Sequence, residues 1–207
     1  MILADIGNTY FHVYDGQKVE HLAYNEAIES YKNEPIYYIS VKEELLKEIK
    51  NIKKWKDISS MITIEGEYET MGIDRKALCL SHNNGIFIDA GSAITVDIVE
   101  EGVYKGGFIL LGLNASLKAY EGISLVLKTE LNKNLVLNRL PKTTKDAVSY
   151  GIIASIKSLI DKHLNETPLY FTGGDGKFLS QFFKNSIYDE RLVFKGMKQC
   201  LKDKKIC

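Results

Sequence analysis

The sequence predicts an α/β protein of two similar domains, each opening with a strand, a tight turn and a second strand. The two turns, Asp5-Ile6-Gly7-Asn8 and Asp89-Ala90-Gly91-Ser92, superimpose with one constant offset in the numbering. Apolar, strand-forming residues precede each turn, and an alternating strand follows it. Because the repeat is too long for a solenoid, we predict related domains at residues 1–83 and 84–207. We expect the two Asp-x-Gly turns to meet at a central cleft.

The remainder of each half alternates strands and helices. For the first half, the patterns predict strands at residues 19–24, 35–41 and 61–64, and helices at 41–52, with a solvated basic end at 53–56, and at 74–82. For the second half, they predict strands at 94–98, 103–110 and 169–172, and helices at 113–120, 144–164, 178–183 and 198–205. Either Thr143 or Thr144 could cap the long helix that follows them.

Composition limits the classes of function that the chain can have. Of its 207 residues, 45% are hydrophobic and only 3 are proline, which predicts a packed core. Basic and acidic residues number 27 each, and this balance argues against nucleic acid as the main partner. No apolar run approaches the roughly 18 residues that a membrane span needs, and no secretory leader is evident, so we expect no membrane partner. Cys79, Cys200 and Cys207 lack zinc spacing and suit a reducing cytoplasm.

The two turns can hold an anion beside a cation. A glycine with small polar neighbours leaves backbone N–H groups open to a phosphate, and an aspartate at the strand tip can hold a cation. An ordinary hairpin turn is the alternative explanation for each turn alone. No Walker A loop exists, because Phe178 follows Gly176-Lys177 where Ser or Thr is needed. There is also no G-x-G-x-x-G motif, so a nucleotide would be held by the paired turns.

Six pieces of sequence occur in the order of a known family. They are Asp5-Ile6-Gly7-Asn8-Thr9, Gly72-Ile73-Asp74-Arg75, Asp89-Ala90-Gly91-Ser92-Ala93, Gly106-Gly107, Thr144 shortly before Gly151, and Thr172-Gly173-Gly174-Asp175. Together they resemble the superfamily of acetate and sugar kinases, actin and heat-shock chaperone ATPases, and within it type III pantothenate kinase. The resemblance implies two actin-like (ribonuclease H-like) domains. It also implies ATP-dependent phosphorylation of pantothenate to 4′-phosphopantothenate, the first step of coenzyme A biosynthesis.

The resemblance also implies roles for individual residues. The expected ATP-binding residues are Asp5, Ile6, Gly7, Asn8, Thr9, Tyr10, Ser92, Gly173 and Gly174. Asp5 suits Mg²⁺, bound through water, although a carboxylate that caps its own turn is the alternative. By resemblance, Asp89 marks a K⁺ or NH₄⁺ site. Ser92 stands where the family usually has Thr, and the two adjacent glycines could equally be an ordinary turn.

A second group of residues is expected to act on the acceptor. It comprises Tyr68, Gly72, Ile73, Asp74, Arg75 and Thr144. Asp74 is the candidate general base, and Arg75 can steer an anionic substrate. The alternatives are that Asp74 caps its helix and pairs with Arg75, and that Thr144 is only a cap. The loop around Tyr68 is spaced differently from that of the family.

The expected assembly is a homodimer, which the resemblance also implies. The chain is short for a two-domain kinase and leaves little for a lid over the acceptor. The long helix carries the adjacent apolar pairs Ile152-Ile153 and Leu159-Ile160, which could form the interface or could pack on the chain's own sheet. Two other functions stay open: a related kinase with another small hydroxylated acceptor, and a non-catalytic transcription accessory protein.

Overall fold

Two five-stranded mixed sheets carry the chain in the computed structural model, which describes residues 1–206. The first sheet contains β1 (Ile2–Ile6), β2 (Phe11–Tyr14), β3 (Val19–Leu22), β4 (Ile36–Ser40) and β5 (Trp55–Asp57). The second contains β6 (Gly85–Ala90), β7 (Ala93–Glu100), β8 (Val103–Leu111), β9 (Leu169–Thr172) and β10 (Ser186–Tyr188). The helices are α1 (Tyr24–Tyr31), α2 (Glu43–Ile49), α3 (Ile73–Cys79), α4 (Leu113–Ile123), α5 (Thr144–Asp161), α6 (Gly176–Ser180) and α7 (Leu192–Asp203).

The two sheets share one strand order. The first runs β3-β2-β1-β4-β5, and the second, read in the same sense, runs β8-β7-β6-β9-β10. In the first sheet β1 is antiparallel to β2 and parallel to β4. In the second, β9 is parallel to both β6 and β10. The repeat read from the two Asp-x-Gly turns therefore extends to whole sheets, and the predicted α/β class is confirmed.

Contacts divide the chain into two compact units. The first comprises residues 1–84 and 98–106 with the C-terminal segment from Glu190, and the second comprises residues 85–97 and 107–189. The division of the sequence into domains at residues 83 and 84 stays a prediction. Among residues 1–206, no helix is both long and apolar enough to cross a membrane.

In the first unit, helices cover both faces of the sheet. On one face Ile6 and Phe11 pack in one cluster with Ala27 of α1 and Ile49 of α2. On the other face α7 and α3 pack together and α7 contacts β1. Because side chains alternate along a strand, this second face carries Leu3, Asp5, His12, Tyr14 and His21, with Tyr14 stacked on Phe194 of α7.

Several predicted elements differ from those found. Residues 61–64, predicted as a strand, are the end of a 3₁₀ turn (Ser59–Met61) followed by extended chain. Ile62 and Ile64 are buried there, so their alternation reflects burial without strand pairing. Trp55 lies in β5 instead of a helix end, because its ring packs edge-on against Phe11 in the core. Helix α1 and strand β10 were not predicted.

Much of the apolar stripe of the long helix packs within the chain, and the dimer interface on this helix stays a prediction. Within α5, Val148, Ile152, Ile153, Ile156 and Ile160 are all buried in the single chain, and Ile153 is only 1% exposed. These buried residues of the apolar stripe are therefore used for packing inside the chain. Exposed large apolar side chains of the second unit lie outside α5 and include Ile109, Leu111, Ile123, Leu125 and Val126.

Candidate active site

The first turn joins β1 to β2 and is closed by one backbone bond. The N–H of Gly7 donates to the carbonyl of Tyr10 at 3.1 Å, and the Tyr24 hydroxyl donates to the carbonyl of Gly7 at 2.8 Å. Asn8 and Thr9 form the exposed tip of this turn. The side chain of Ile6 is fully buried, so this residue can offer a ligand only its backbone. The turn therefore presents backbone groups held from two sides.

The second turn is one residue shorter. The N–H of Gly91 donates to the carbonyl of Ala93 at 2.9 Å, which leaves Ser92 alone at the tip. The N–H of Gly112, the residue before α4, donates to the carbonyl of Ser92 at 3.3 Å. A Cβ atom at Gly112 would collide with the carbonyl oxygens of Gly91 and Ser92. Glycine thus lets the positive end of α4 approach the turn, which favours an anion there.

A glycine corner encloses Asp89 at the end of β6. Asp89 is the parallel partner of Thr172 on β9, and the chain turns directly after Thr172 at Gly173, which has a φ of +82°. A Cβ at Gly173 would collide with the Asp89 carboxylate and come within 2.6 Å of the Ala90 carbonyl oxygen. Apart from its two chain neighbours, no atom of residues 1–206 lies within 4 Å of a Cβ built at Gly174, so the space beside it is open.

Asp74 lies in the first turn of α3, and Gly72 is the N-cap residue of that helix. Its Oδ1 accepts a hydrogen bond of 2.8 Å from the backbone N–H of Arg75. A Cβ at Gly72 would come within 2.5 Å of the same oxygen, so glycine leaves room for the carboxylate. Burial raises the pKa of Asp74, against the opposing effects of the Arg75 N–H and positive charge. A carboxylate with a raised pKa is suited to accept a proton.

Arg75 is buried and held by two tyrosines. Its guanidinium donates from Nη1 to the Tyr68 hydroxyl at 2.5 Å and from Nη2 to the Tyr104 hydroxyl at 3.3 Å. The guanidinium also lies over the Tyr68 ring, 5.8 Å from its centre. Tyr68 is 43% exposed whereas Arg75 is 6% exposed. Tyr68 is therefore the solvent-accessible residue of this group, and Arg75 orients its side chain.

Three residues that hold the segment 64–68 and Arg75 in place were not predicted, namely Glu67, Lys76 and Tyr104. Glu67 bonds through Oε1 to Lys76 of α3 at 2.8 Å and through Oε2 to the N–H of Ile64 at 2.8 Å. Tyr104 reaches Arg75 from β8, far along the sequence. A single sequence holds no signal for Tyr104, whereas the spacing of Glu67 and Lys76 could have suggested an ion pair.

Thr144 is the first residue of α5, and its neighbour forms the cap. The Thr143 hydroxyl accepts the N–H of Asp146 at 3.2 Å. Thr144 is exposed, and its hydroxyl forms no hydrogen bond with any other residue in the described range 1–206. The segment before the helix is tied down by Asn132, which donates to the Ser149 hydroxyl at 2.9 Å and to the Asp146 carboxylate at 2.7 Å. The capping role is thus taken by Thr143.

The residues available for metals are single carboxylates. Within residues 1–206, no three His, Cys, Asp or Glu side chains cluster so as to hold a metal ion. Asp5 lies half-buried at the end of β1, and one carboxylate with water and phosphate oxygens is an arrangement that suits Mg²⁺. At the other corner, the Asp89 carboxylate and the Ala90 carbonyl both border Gly173, and oxygen donors of this kind fit a hard cation.

Sheets of matching strand order, each with an Asp-x-Gly turn after its central strand, define the class of actin-like ATPase folds. The activator of the 2-hydroxyisocaproyl-CoA dehydratase from Clostridium difficile has this fold, with a TM-score of 0.57 at 10% identity over 100% of this chain and 97% of that one. The predicted actin-like architecture is confirmed.

More similar proteins identify the family. A family model for type III pantothenate kinase matches residues 52–166. The type III pantothenate kinase of Helicobacter hepaticus is 42% identical over 202 residues, which are 97% of this chain and 98% of that protein. A Campylobacter jejuni structure carrying the name of a Baf-family transcriptional activator aligns over 100% of both chains, with 39% identity and a TM-score of 0.91. The chain belongs to the type III pantothenate kinase family, and the predicted phosphotransferase class is confirmed.

Proposed function

We propose that the protein transfers the γ-phosphoryl group of ATP to the primary hydroxyl of pantothenate, with Asp74 as the general base. Membership of the family supports the reaction and the substrate. The observation that carries the role of Asp74 is a half-buried carboxylate with a raised pKa, for which Gly72 leaves room and which feels the positive charge of Arg75. This arrangement combines a proton acceptor with a positive charge.

The proposed step forms a bond between the pantothenate hydroxyl oxygen and the γ-phosphorus, while the bond from that phosphorus to the bridging oxygen of ADP breaks. The hydroxyl proton moves to Asp74. Such a transfer depends mainly on positioning and on stabilising spread negative charge. Tyr68, Gly72, Ile73, Arg75 and Thr144 are the proposed substrate contacts. Of these, Tyr68 and Thr144 offer exposed hydroxyl-bearing side chains.

Nucleotide binding is proposed for both turns. In the first, Gly7, Asn8, Thr9 and Tyr10 would contact the β- and γ-phosphates, with Ile6 contributing backbone only. In the second, the Ser92 hydroxyl and the start of α4 favour an anion. Gly173 and Gly174 would allow the backbone to approach the adenine or ribose, because neither carries a side chain into the corner.

Two cations complete the proposed chemistry. Asp5 would hold Mg²⁺ through water, since Mg²⁺ gives up its hydration shell reluctantly. Asp89 would hold K⁺ or NH₄⁺ with the neighbouring carbonyl of Ala90. The cations would supply positive charge to the phosphates, while the two carboxylates fix their positions. The proposed location is the reducing cytoplasm, which suits the buried Cys79 and Cys200, since neither forms a disulfide; Cys207 lies outside the described residues.

We propose a homodimer, with an interface different from the predicted one. Ile109 and Leu111 of β8, Ile123 of α4, and Leu125 and Val126 just after it are each more than half exposed. Exposed apolar residues concentrated in one stretch of chain are typical of a surface that another protein covers. A second copy is the occupant that the family resemblance implies. Light scattering on wild type and on Leu125→Asp tests this, and a wild-type monomer would contradict it.

A turnover assay tests the proposed acceptor. The purified protein is given MgATP and a panel of vitamins, sugars and short hydroxy acids, and ADP formation is followed for each. Of the compounds in the panel, only pantothenate should give rapid turnover of MgATP. Faster phosphorylation of another member would favour a related kinase, and no turnover with any member would favour a non-catalytic role.

A further inference from the structure

A row of polar side chains crosses the first sheet beside the first turn. Asp5 is the cross-strand partner of His12, and His12 is the partner of His21 on the next strand. Cross-strand partners lie on the same face with their side chains adjacent. Leu3 and Tyr14, further from the turn on the same face, are buried apolar residues. Polar groups on this face are therefore concentrated at the turn end, and the kinase step proposed above uses only Asp5.

The two histidines form a chain with Glu190. The Nδ1 atoms of His12 and His21 lie 2.6 Å apart, and the rings meet edge-on with their centres 4.8 Å apart. On the far side, the Nε2 of His21 lies 4.0 Å from the Glu190 carboxylate. A hydrogen bond between two Nδ1 atoms requires that one imidazole donates and the other accepts. This contact therefore couples the position of the proton on His12 to that on His21.

The other ring nitrogen of His12 lies against the turn. A Cβ atom built at Gly7 would be 3.8 Å from His12 Nε2, so the absence of a side chain at Gly7 leaves this nitrogen next to the turn backbone. Among residues 1–206, no group forms a hydrogen bond with it. Burial and the charge of His21 lower the pKa of His12 to about 4. A neutral imidazole carries one proton, at Nδ1 or at Nε2.

We propose that His12 is a further phosphate-binding residue, which donates a hydrogen bond from Nε2 to the nucleotide held by the first turn. His21 donates from Nδ1 to His12 Nδ1 and so keeps the His12 proton on Nε2. A phosphate oxygen in the turn favours this tautomer because it accepts the Nε2–H. The inference rests on the proposed function, namely that the first turn binds a nucleotide.

Imidazole resonances report the tautomer directly. The ¹⁵N-labelled full chain is observed by long-range ¹H–¹⁵N correlation with and without a non-hydrolysable MgATP analogue. We expect the His12 proton on Nε2 in the complex, and a shift of the Nε2 resonance when the analogue is added. In the His21→Phe variant without the analogue, neither a donor at residue 21 nor a phosphate fixes the proton, so a mixture of both His12 tautomers should appear.

Kinetics provide an independent test with a matched pair of variants. His12→Phe keeps a ring without a donor, whereas His12→Gln keeps an amide donor near the position of Nε2. Loss of a hydrogen bond to a charged group typically weakens binding by ~10-fold or more. We expect the KM for MgATP to rise ~10-fold in His12→Phe and to stay near wild type in His12→Gln, while the KM for pantothenate is unchanged in both.

The outcomes separate this inference from the proposed function. If the wild type fails to bind the MgATP analogue, both are overturned. If it binds the analogue while the His12 proton stays on Nδ1, or while His12→Phe keeps the wild-type KM for MgATP, only the role of His12 is overturned. Should the variants fail to fold, the wild-type resonances decide, because they require no substitution.

Discussion

Replacing Gly173 by alanine should destabilise the protein because the corner around Asp89 has no room for a side chain. The residue has a φ of +82°, which costs a non-glycine residue ~1–2 kcal/mol. The new Cβ would also collide with the Asp89 carboxylate and meet the backbone carbonyl of Ala90, and overpacking of this kind costs ~1–3 kcal/mol. The expected loss in the free energy of unfolding is therefore roughly 2–5 kcal/mol.

The adjacent glycine provides the matched control. Gly174 is exposed, and a Cβ built there meets nothing within 4 Å, so Gly174→Ala should change the free energy of unfolding by no more than about 0.5 kcal/mol. Urea titrations of both variants, followed by circular dichroism, measure the difference. Equal losses in the two variants, or a loss below about 1 kcal/mol in Gly173→Ala, would refute the steric argument.

Three further predictions concern the proposed site. Because burial raises the pKa of Asp74, kcat/KM should fall as the pH drops through that raised value. The same shift makes the contribution of Asp74 to the free energy of unfolding decrease as the pH rises from 3.8. Asp74→Asn should therefore be more stable than the wild type at pH 7 in a urea titration. Omitting K⁺ and NH₄⁺ while keeping Mg²⁺ and Na⁺ should depress turnover, and Asp89→Ala should abolish the response to K⁺; a flat K⁺ titration of the wild type would contradict the site. Thr143→Ala should lose ~1 kcal/mol of stability with its cap, whereas Thr144→Ala should keep its stability and raise the KM for pantothenate; the reverse result would exchange their roles.

Local sequence patterns were sufficient to predict the duplicated part of the fold. Asp5 and Asp89 lie near the ends of equivalent central strands. Both could be recognised because each follows a run of apolar residues and precedes the glycine of a tight turn by two positions. These constraints act within a few residues, so they are visible without a structure. The predicted strand at 61–64 is wrong because burial alone produced its alternation. Strand β10 has only three residues and depends on its pairing with β9, which no local pattern encodes.

The candidate site, like the fold, could be predicted from the sequence only in part. Asp74 and Arg75 could be identified from the sequence, but the direction of the arginine side chain could not, because one of its hydrogen bonds is to Tyr104 on a distant strand. The role of Thr143 as the cap depends on where α5 begins, and sequence patterns leave helix ends uncertain by a residue or two. The role proposed for His12 could not be predicted from the sequence, since its link to His21 arises only when β2 and β3 pair.

The central claim is that Asp74 takes the proton of pantothenate during phosphoryl transfer from ATP. The most direct measurement compares wild type and Asp74→Asn for pantothenate-dependent ADP formation, with pantothenate binding measured separately by calorimetry. Asparagine keeps the shape of the side chain and removes its basicity. We predict that pantothenate binding is largely retained, whereas kcat falls by roughly 10²–10⁴-fold. A folded Asp74→Asn protein with near wild-type kcat, or a wild type that forms no ADP with pantothenate, would contradict the account.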